Sequence, residues 1–451
     1  MEKIFNKAEN IFLVLCLFLS GIMMFINPPF QTPDEAQHFF KMYGFTNLTF
    51  NFKILNNHTG DILPESVINI SKFEKIGGNL KLKTTKNEII EALKIKLEKD
   101  KTKFYAFTPT SYTPISYSPS FLILWIMKLI NVPPLIMMYI LRLCALFLYT
   151  GLMYQAIKIM PVKKWLLVLL GLIPMAIYEA SSVTTDALTI GLAFCFIAYT
   201  IKLAYDKNIE KIGKKEFSIF GLLLTLLLIC KYAYFPIILM YFCIPKKKFS
   251  SQKTRLLYFL GLLILNFLII SVYLNHLIHV SENVVSGAQG YDKKFMIGFI
   301  IHRFNWFLDF LFQTIKSQWQ VYLYSYIGIL GCNDTFLPVN IIKAFIVLIL
   351  TASIFKTEKK EAVFDLKSKM VFAFIFLTSS VIILTSAFIL FQCYPVFCGV
   401  QGRYFIPIMP LLFFILDNKK WSFKKLPIFL IAGIIILMPF VFITLLNRFY
   451  I

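Results

Sequence analysis

Apolar residues along the chain fall into long runs broken by short polar stretches, with neither the alternation of strands nor the one-sided stripe of surface helices. Such runs extend from Ile11 to Ile26, Leu135 to Ile157, Trp165 to Ile177, Ala187 to Tyr205, Phe217 to Cys230 and Tyr234 to Ile244. They continue from Leu256 to Asn275, Val339 to Phe355, Met370 to Phe391, Tyr404 to Leu416 and Pro427 to Leu446. Read as membrane-crossing helices they predict an all-α polytopic protein of about 11 spans, the shorter ones tilting little or extending into polar flanks. The first run follows Lys3 and Lys7, as a signal peptide would, but Phe-Ile-Asn-Pro-Pro is no small-residue cleavage site, so it is read as a helix that stays.

Between the first two runs lies a polar stretch, residues 27–133, too long and too mixed in charge for a connector. It is predicted to be an extracytoplasmic loop domain with a helix near Glu88 to Leu97 and a solvated Lys/Glu surface. Phe121 to Ile130 is too short to cross comfortably and is read as an interfacial helix; Phe295 to Gln318, interrupted by His302, Arg303, Asn305, Asp309 and Lys316, is read as a second. The segments are then 1–26, 27–133, 134–275 with helices two to seven, 276–338 as an external segment, and 339–451 with helices eight to eleven.

Composition sharpens this picture. The chain is 58% hydrophobic and carries a formal net charge of +22. In a soluble protein that excess would suggest nucleic acid, but here the lysines cluster between apolar runs, which makes them a record of topology. With the amino terminus inside and the carboxyl terminus outside, roughly two dozen Lys and Arg fall in inner loops against about three in the short outer ones. Cys16, Cys144, Cys195 and Cys230 sit inside apolar helices as small core residues, and only Cys393 and Cys398 are close enough in sequence to suggest a disulfide. No internal repeat of the kind secondary transporters carry is visible.

The chemically unusual residues share the outer side. Asn27-Pro28-Pro29-Phe30-Gln31-Thr32-Pro33-Asp34-Glu35-Ala36-Gln37-His38 places two adjacent carboxylates and a histidine where the chain leaves the first helix. Asp34 either caps a helix starting at Glu35 or acts as a base that takes a proton from an acceptor hydroxyl. Glu35 and His38, three apart on one helical face, suit a divalent metal or a mutual hydrogen bond; no cofactor is required by the sequence. Arg142, Glu179, Asp186, Lys231, Asp334 and Arg403 stand at the same ends of later helices. Arg403, aimed from the tight turn Gly399-Val400-Gln401-Gly402-Arg403-Tyr404, suits a phosphate through its planar fork, with Arg142 and Lys231 as further cations. Each has a plainer use: Arg142 can reach to headgroups, Asp186 can cap the following helix, and Lys231 can anchor at the interface. Tyr322, Tyr324 and Tyr326 suit an interfacial belt or a sugar platform, and His302 with Arg303 suits lipid headgroups.

Several of these stretches resemble one family. The Pro-Asp-Glu-x-x-His of the first loop, Tyr117-Ser118-Pro119, Arg142-Leu143, Lys231-Tyr232-Ala233-Tyr234, the turn from Leu330-Gly331 to Leu337-Pro338 and Gly-x-Gln-Gly-Arg-Tyr at 399–404 resemble the bacterial membrane proteins of domain of unknown function 2142. The turn departs from that pattern with Cys332-Asn333. That family is similar to the GT-C glycosyltransferases, so the resemblance implies a GT-C-like fold in the bacterial cytoplasmic membrane with its active site outside the cytoplasm. It further implies Asp34, with Glu35 competing, as the catalytic acid, Asp186 as a second acid, and Arg403 with Arg142 or Lys231 on the phosphate of a polyprenyl-phosphate sugar. His38, Gln401 and Tyr404 would support them, and the acceptor would be a glycan, lipid or protein. Other classes consistent with the sequence are a transporter or flippase, a polymerase or ligase of lipid-linked saccharides, and a non-catalytic scaffold.

Overall fold

A computed structural model describes residues 7–49, 52–56, 58–108, 112–282, 293–391 and 399–451. Cys393 and Cys398 lie outside the described residues. Helix α1 (Ala8–Ile26) ends at Asn27-Pro28-Pro29, where two successive imino nitrogens offer no donor to the helical ladder. Helix α2 (Glu35–Phe45) follows and opens the loop domain.

The all-helical expectation needs one amendment in that domain. Strands β1 (Lys53–Leu55), β2 (His58–Pro64) and β3 (Thr102–Ala106) form an antiparallel sheet in the order β1-β2-β3, with Lys53 opposite Gly60 and Ile62 opposite Phe104. These strands are short and mix polar with apolar residues without strict alternation, so their sequence does not read as a sheet. Helix α3 runs over Lys86–Leu93, starting and ending earlier than the Glu88 to Leu97 spacing suggests. Its start is fixed by a capping box: Glu88 N donates to Thr85 Oγ1 at 3.2 Å while Thr85 N donates to Glu88 Oε2 at 2.7 Å. Helix α4 (Ser120–Leu129) is the short apolar helix expected from the sequence and leaves Leu122, Trp125 and Ile126 exposed.

Six described helices are long and apolar enough to cross a membrane, and seven if a bent pair counts as one, in place of about 11. They are α1, α5 (Pro134–Ile159), α8 (Asp186–Tyr205), α10 (Gln252–Glu282, through Val272), α14 (Leu366–Phe391, through Ile389) and α16 (Leu426–Phe449). The remaining apolar runs are shorter or broken, for identifiable reasons. The run from Trp165 to Ile177 is divided into α6 (Lys164–Leu170) and α7 (Pro174–Ala180), because Pro174 cannot continue the ladder of α6. Tyr232–Cys243 is a 3₁₀ helix containing Pro236; at ~2 Å per residue such a segment rises further than an α-helix of equal length. Helices α9 (Lys214–Cys230) and α13 (Val339–Ile354) are 17 and 16 residues long. The last short run becomes a 3₁₀ turn, Gly402–Ile408, leading into α15 (Met409–Phe414).

The interfacial helix expected over Phe295 to Gln318 is instead two helices, α11 (Lys293–His302) and α12 (Phe304–Gly328), bent by 97° at Arg303. His302 and Arg303 are exposed at that bend. Helix α8 is the centre of the array: 83% of its apolar window is buried, and it packs on α5 and α9, whereas α10 has 17% buried and presents its aliphatic residues outward. An outward apolar surface of that extent suits lipid as its solvent.

The carboxyl-terminal end of α16 is tied to the loop domain. Arg448, near the end of α16, donates Nη2 to Asp334 Oδ2 at 2.6 Å and to Ile76 O at 2.8 Å, and Nη1 to Leu82 O at 3.2 Å. Asp334 also accepts from Gly78 N at 3.0 Å, and Thr84 N donates to Phe449 O at 2.9 Å. Asp334, whose place in the turn between β4 (Ile329–Leu330) and β5 (Thr335–Phe336) the sequence left without a task, is therefore a fastener for the loop domain. Replacing Arg448 with Ala leaves Asp334 without its cation; the expected loss is about 3 kcal/mol, read as faster amide exchange over residues 76–85 with α8 still protected.

Candidate active site

Two arginines organise the corner after α1, and they have different surroundings. Arg142, on α5, has no exposed surface, and each of its five N–H groups finds an oxygen. Nε donates to Glu35 Oε1 at 2.7 Å and Nη2 to Glu35 Oε2 at 2.6 Å, the paired fork that arginine forms with a carboxylate. The other three reach the carbonyls of Met24, Asn27 and Pro28 at 3.0, 2.7 and 2.9 Å, the acceptors left over where α1 stops. Glu35 is equally committed, accepting Phe30 N and Val183 N at 3.0 Å each. Arg142 and Glu35 thus brace the first loop and have no vacancy for a phosphate or a substrate proton.

That brace turns the chain sharply. Phe30 and Asp34 both take positive φ, 62° and 65°. Such angles are uncommon outside glycine and persist where surrounding contacts fix them. Asn27 helps, donating Nδ2 to Thr32 Oγ1 at 2.9 Å, and Gln31 donates Nε2 to Phe73 O at 2.7 Å. Asp34 stands at the N-cap position of α2, yet its side chain makes no cap bond. Its carboxylate points instead to the second arginine.

Arg403 is 3% exposed and is carried by the 3₁₀ turn that starts at Gly402. Gly402 lies directly against the backbone of Tyr322 and Tyr326 on α12, where a Cβ would collide, and donates its N–H to Ser325 Oγ at 2.7 Å. From this turn Arg403 Nη2 donates to Asp34 Oδ2 at 2.6 Å, and Nη1 lies 3.1 Å from Glu179 Oε1 and 3.2 Å from Asp186 Oδ2. Residues from the first loop, the end of α7, the start of α8 and the 3₁₀ turn so meet at one guanidinium. Lys231, at the end of α9, completes the group: its Nζ lies 4.0 Å from Asp186 Oδ1 and 4.0 Å from the centre of the Tyr404 ring, and it donates no hydrogen bond among the described residues. Gln401 Oε1 and Arg403 Nε are buried without partners among the described residues.

Asp34 differs from the other two acids in access. About half of its side chain (51%) is exposed, against none for Glu179 and 12% for Asp186. Only one of its oxygens is taken by Arg403, so the other faces the opening. Burial would raise its pKa, but the Arg403 guanidinium together with His38 and Lys231 outweighs that and holds the carboxyl below the usual carboxylate range. His38 lies beside it with Nδ1 2.8 Å from Tyr117 Oη, and burial lowers its pKa to about 4.

A small cleft with room for about one water lies between α5 and α8. Leu141, Ala145 and Leu188 form its apolar wall, and Ser116, Ser118 and Thr184 form its polar end. Thr184 Oγ1 donates to Glu179 Oε2 at 3.2 Å, which joins the cleft to the acids.

The structure therefore gathers Asp34, Asp186, Lys231, Arg403 and Tyr404, with His38 adjacent, and sets Glu35 and Arg142 apart as a buried pair. Glu35 and His38 turn to different partners, so they do not form a metal-binding couple, and among the described residues no group of three or more His, Cys, Asp or Glu is arranged to hold an ion. Glu179 was visible as a carboxylate in an apolar stretch but not as a ligand of Arg403; only the fold brings residues 179 and 403 together. Tyr326 is fully buried, away from any surface on which a sugar could lie.

A family described as a predicted membrane protein family, DUF2142, matches residues 17–412. The chain belongs to that family. No curated protein and no solved structure matches the chain. The matched region takes in Asp34, Arg142, Glu179, Asp186, Lys231 and Arg403, and stops before Arg448.

Two outcomes follow from this geometry. Arg142→Ala should destabilise by about 3–5 kcal/mol, because it strands a buried carboxylate, and the double replacement Glu35→Gln with Arg142→Met should recover part of that loss in detergent melting curves. A folded, stable Arg142→Ala protein would contradict the bracing role. For His38, the folded chain stays neutral down to about pH 4 while the unfolded chain takes a proton near 6.5. Its contribution to stability is complete above pH 6.5 and is lost as pH falls toward 4, so His38→Asn should flatten the melting temperature against pH over that window.

Proposed function

We propose that this protein is an integral-membrane glycosyltransferase of the GT-C type, which moves a sugar from a polyprenyl-phosphate-linked donor to a hydroxyl of a glycan, lipid or protein acceptor. The observation that carries the reading is the half-exposed Asp34 carboxylate held beside Arg403, with Lys231 close to the same cluster. A base next to two cations suits transfer from a phosphate leaving group, and the apolar surface that the outer helices present suits the lipid that carries it. Lys-rich segments gathered away from this corner support an arrangement in which it faces outside the cytoplasmic membrane and the amino terminus faces in.

In this scheme the acceptor O–H gives its proton to Asp34 and its oxygen forms the new bond to the anomeric carbon. The bond from that carbon to the phosphate oxygen breaks, its electron pair leaves on the phosphate, and Arg403 with Lys231 stabilises the added charge. Attack opposite the leaving group inverts the sugar carbon. Asp34, ionised at neutral pH, is the base; Asp186 and Glu179 hold the guanidinium in place.

The test compares wild type with Asp34→Asn and Arg403→Ala, each checked for folding and membrane insertion. Mass analysis of envelope glycans and of lipid-linked sugars should show the product falling by about 10²–10⁴-fold for Asp34→Asn, with the donor accumulating. Unchanged glycan and lipid pools in both variants would reject the transferase.

A further inference from the structure

The guanidinium of Arg403 is shared unequally between its acids. Nη1 faces inward and is held by Glu179 and Asp186, which are wholly or largely buried, at 3.1 and 3.2 Å. Nη2 is held by Asp34, whose side chain is half exposed, at 2.6 Å. A ligand approaching from the opening therefore meets Asp34 and the edge of Arg403 that Asp34 occupies. The inner edge is shielded behind it.

The same place contains unused cationic capacity. Among the described residues Lys231 Nζ donates no hydrogen bond and approaches Asp186 no closer than 4.0 Å, and Arg403 Nε is buried without an acceptor. Asp34, for its part, is held by this one ion pair: its side chain makes no cap bond to α2, and its other oxygen accepts no hydrogen bond among the described residues. An anion could replace it at Nη2 without disturbing the bonds at Nη1. If that anion carries one negative charge, as a phosphodiester does, the exchange leaves the charge around Arg403 unchanged.

We propose that Asp34 and the phosphate of the substrate are alternative occupants of the outer edge of Arg403, so that the arriving phosphodiester releases the base from its ion pair. This rests on the transferase reading and adds its regulation. In the empty site Asp34 is masked, a carboxylate whose proton affinity is suppressed by the cation it touches. Once the phosphate holds Nη2, Asp34 keeps its position through the Phe30 to Glu35 turn but loses that cation. It becomes a stronger base in the complex that contains both the donor and the acceptor hydroxyl. Without the donor, the base stays paired.

Competition for one site has a direct consequence: removing the competitor tightens binding of the other occupant. The probe is citronellyl methyl phosphate, a short prenyl phosphodiester with one negative charge and no sugar to transfer, titrated calorimetrically into the full chain in detergent. Asp34→Asn should bind it about tenfold more tightly than wild type. Asparagine tolerates positive φ and so preserves the turn, and Asp34→Gly, which suits that backbone equally, should show the same gain. Asp100→Asn, an exposed site in the loop domain, should leave affinity unchanged and serves as the control for net charge.

Binding by wild type with equal or weaker binding by both Asp34 variants would overturn the exchange while leaving the transferase reading in place. An equal gain in Asp100→Asn would also overturn it, as an effect of bulk charge. If neither wild type nor the Asp34 variants bind the probe, the phosphate assignment falls and the exchange falls with it.

Discussion

A guanidinium enclosed in an apolar bundle must find an oxygen for each of its N–H groups, because no water is there to supply one. Arg142 meets that demand by drawing in the three carbonyls left at the end of α1 and both oxygens of Glu35. Everything at the candidate site depends on the result. The first loop cannot leave α1 at random; it turns so that Glu35 faces inward, and the adjacent residue, Asp34, is turned toward the opening at a positive φ. Adjacent carboxylates so acquire opposite tasks, one structural and one available for chemistry.

Arg403 shows the same demand incompletely met. Its hydrogen-bond partners among the described residues are three acids and a distant carbonyl of Pro33, and its Nε has no acceptor among them. A buried arginine with spare donors is costly as architecture and useful as a receptor. Three carboxylates around it, with Lys231 nearby, keep the cation in place while distributing its attraction. The contrast between the two arginines is one of completeness: the first is saturated, the second is not.

Much of this corner was legible in the sequence. Pro-Pro after an apolar run, the acid pair, Gly-x-Gln-Gly-Arg-Tyr and the lysine ahead of Tyr-Ala-Tyr all mark positions that the fold brings to one place. What the sequence did not disclose was which acid pairs with which arginine. Glu35 and Asp34 are neighbours with the same chemistry, and only the direction of the turn separates them. Glu179 had no motif of its own. Six or seven described helices have the length of a span, against the expected 11 or so, and proline at 174, 236 and 407 lies within apolar runs that hydropathy alone would leave continuous. In the loop domain the short strands gave no alternation to follow, and β2 and β3 pair between segments some 40 residues apart.

The distribution of these partners along the chain also sets an order of construction. Glu35 can meet Arg142 once residue 142 has been made, whereas Arg403 arrives far later and Arg448 later still. During synthesis the first brace can close early, but Asp34, Glu179 and Asp186 wait without their shared cation until residue 403 has been made. A nascent protein halted before residue 403 would possess a folded first corner and three acids with no guanidinium to gather them, however well its early helices have inserted.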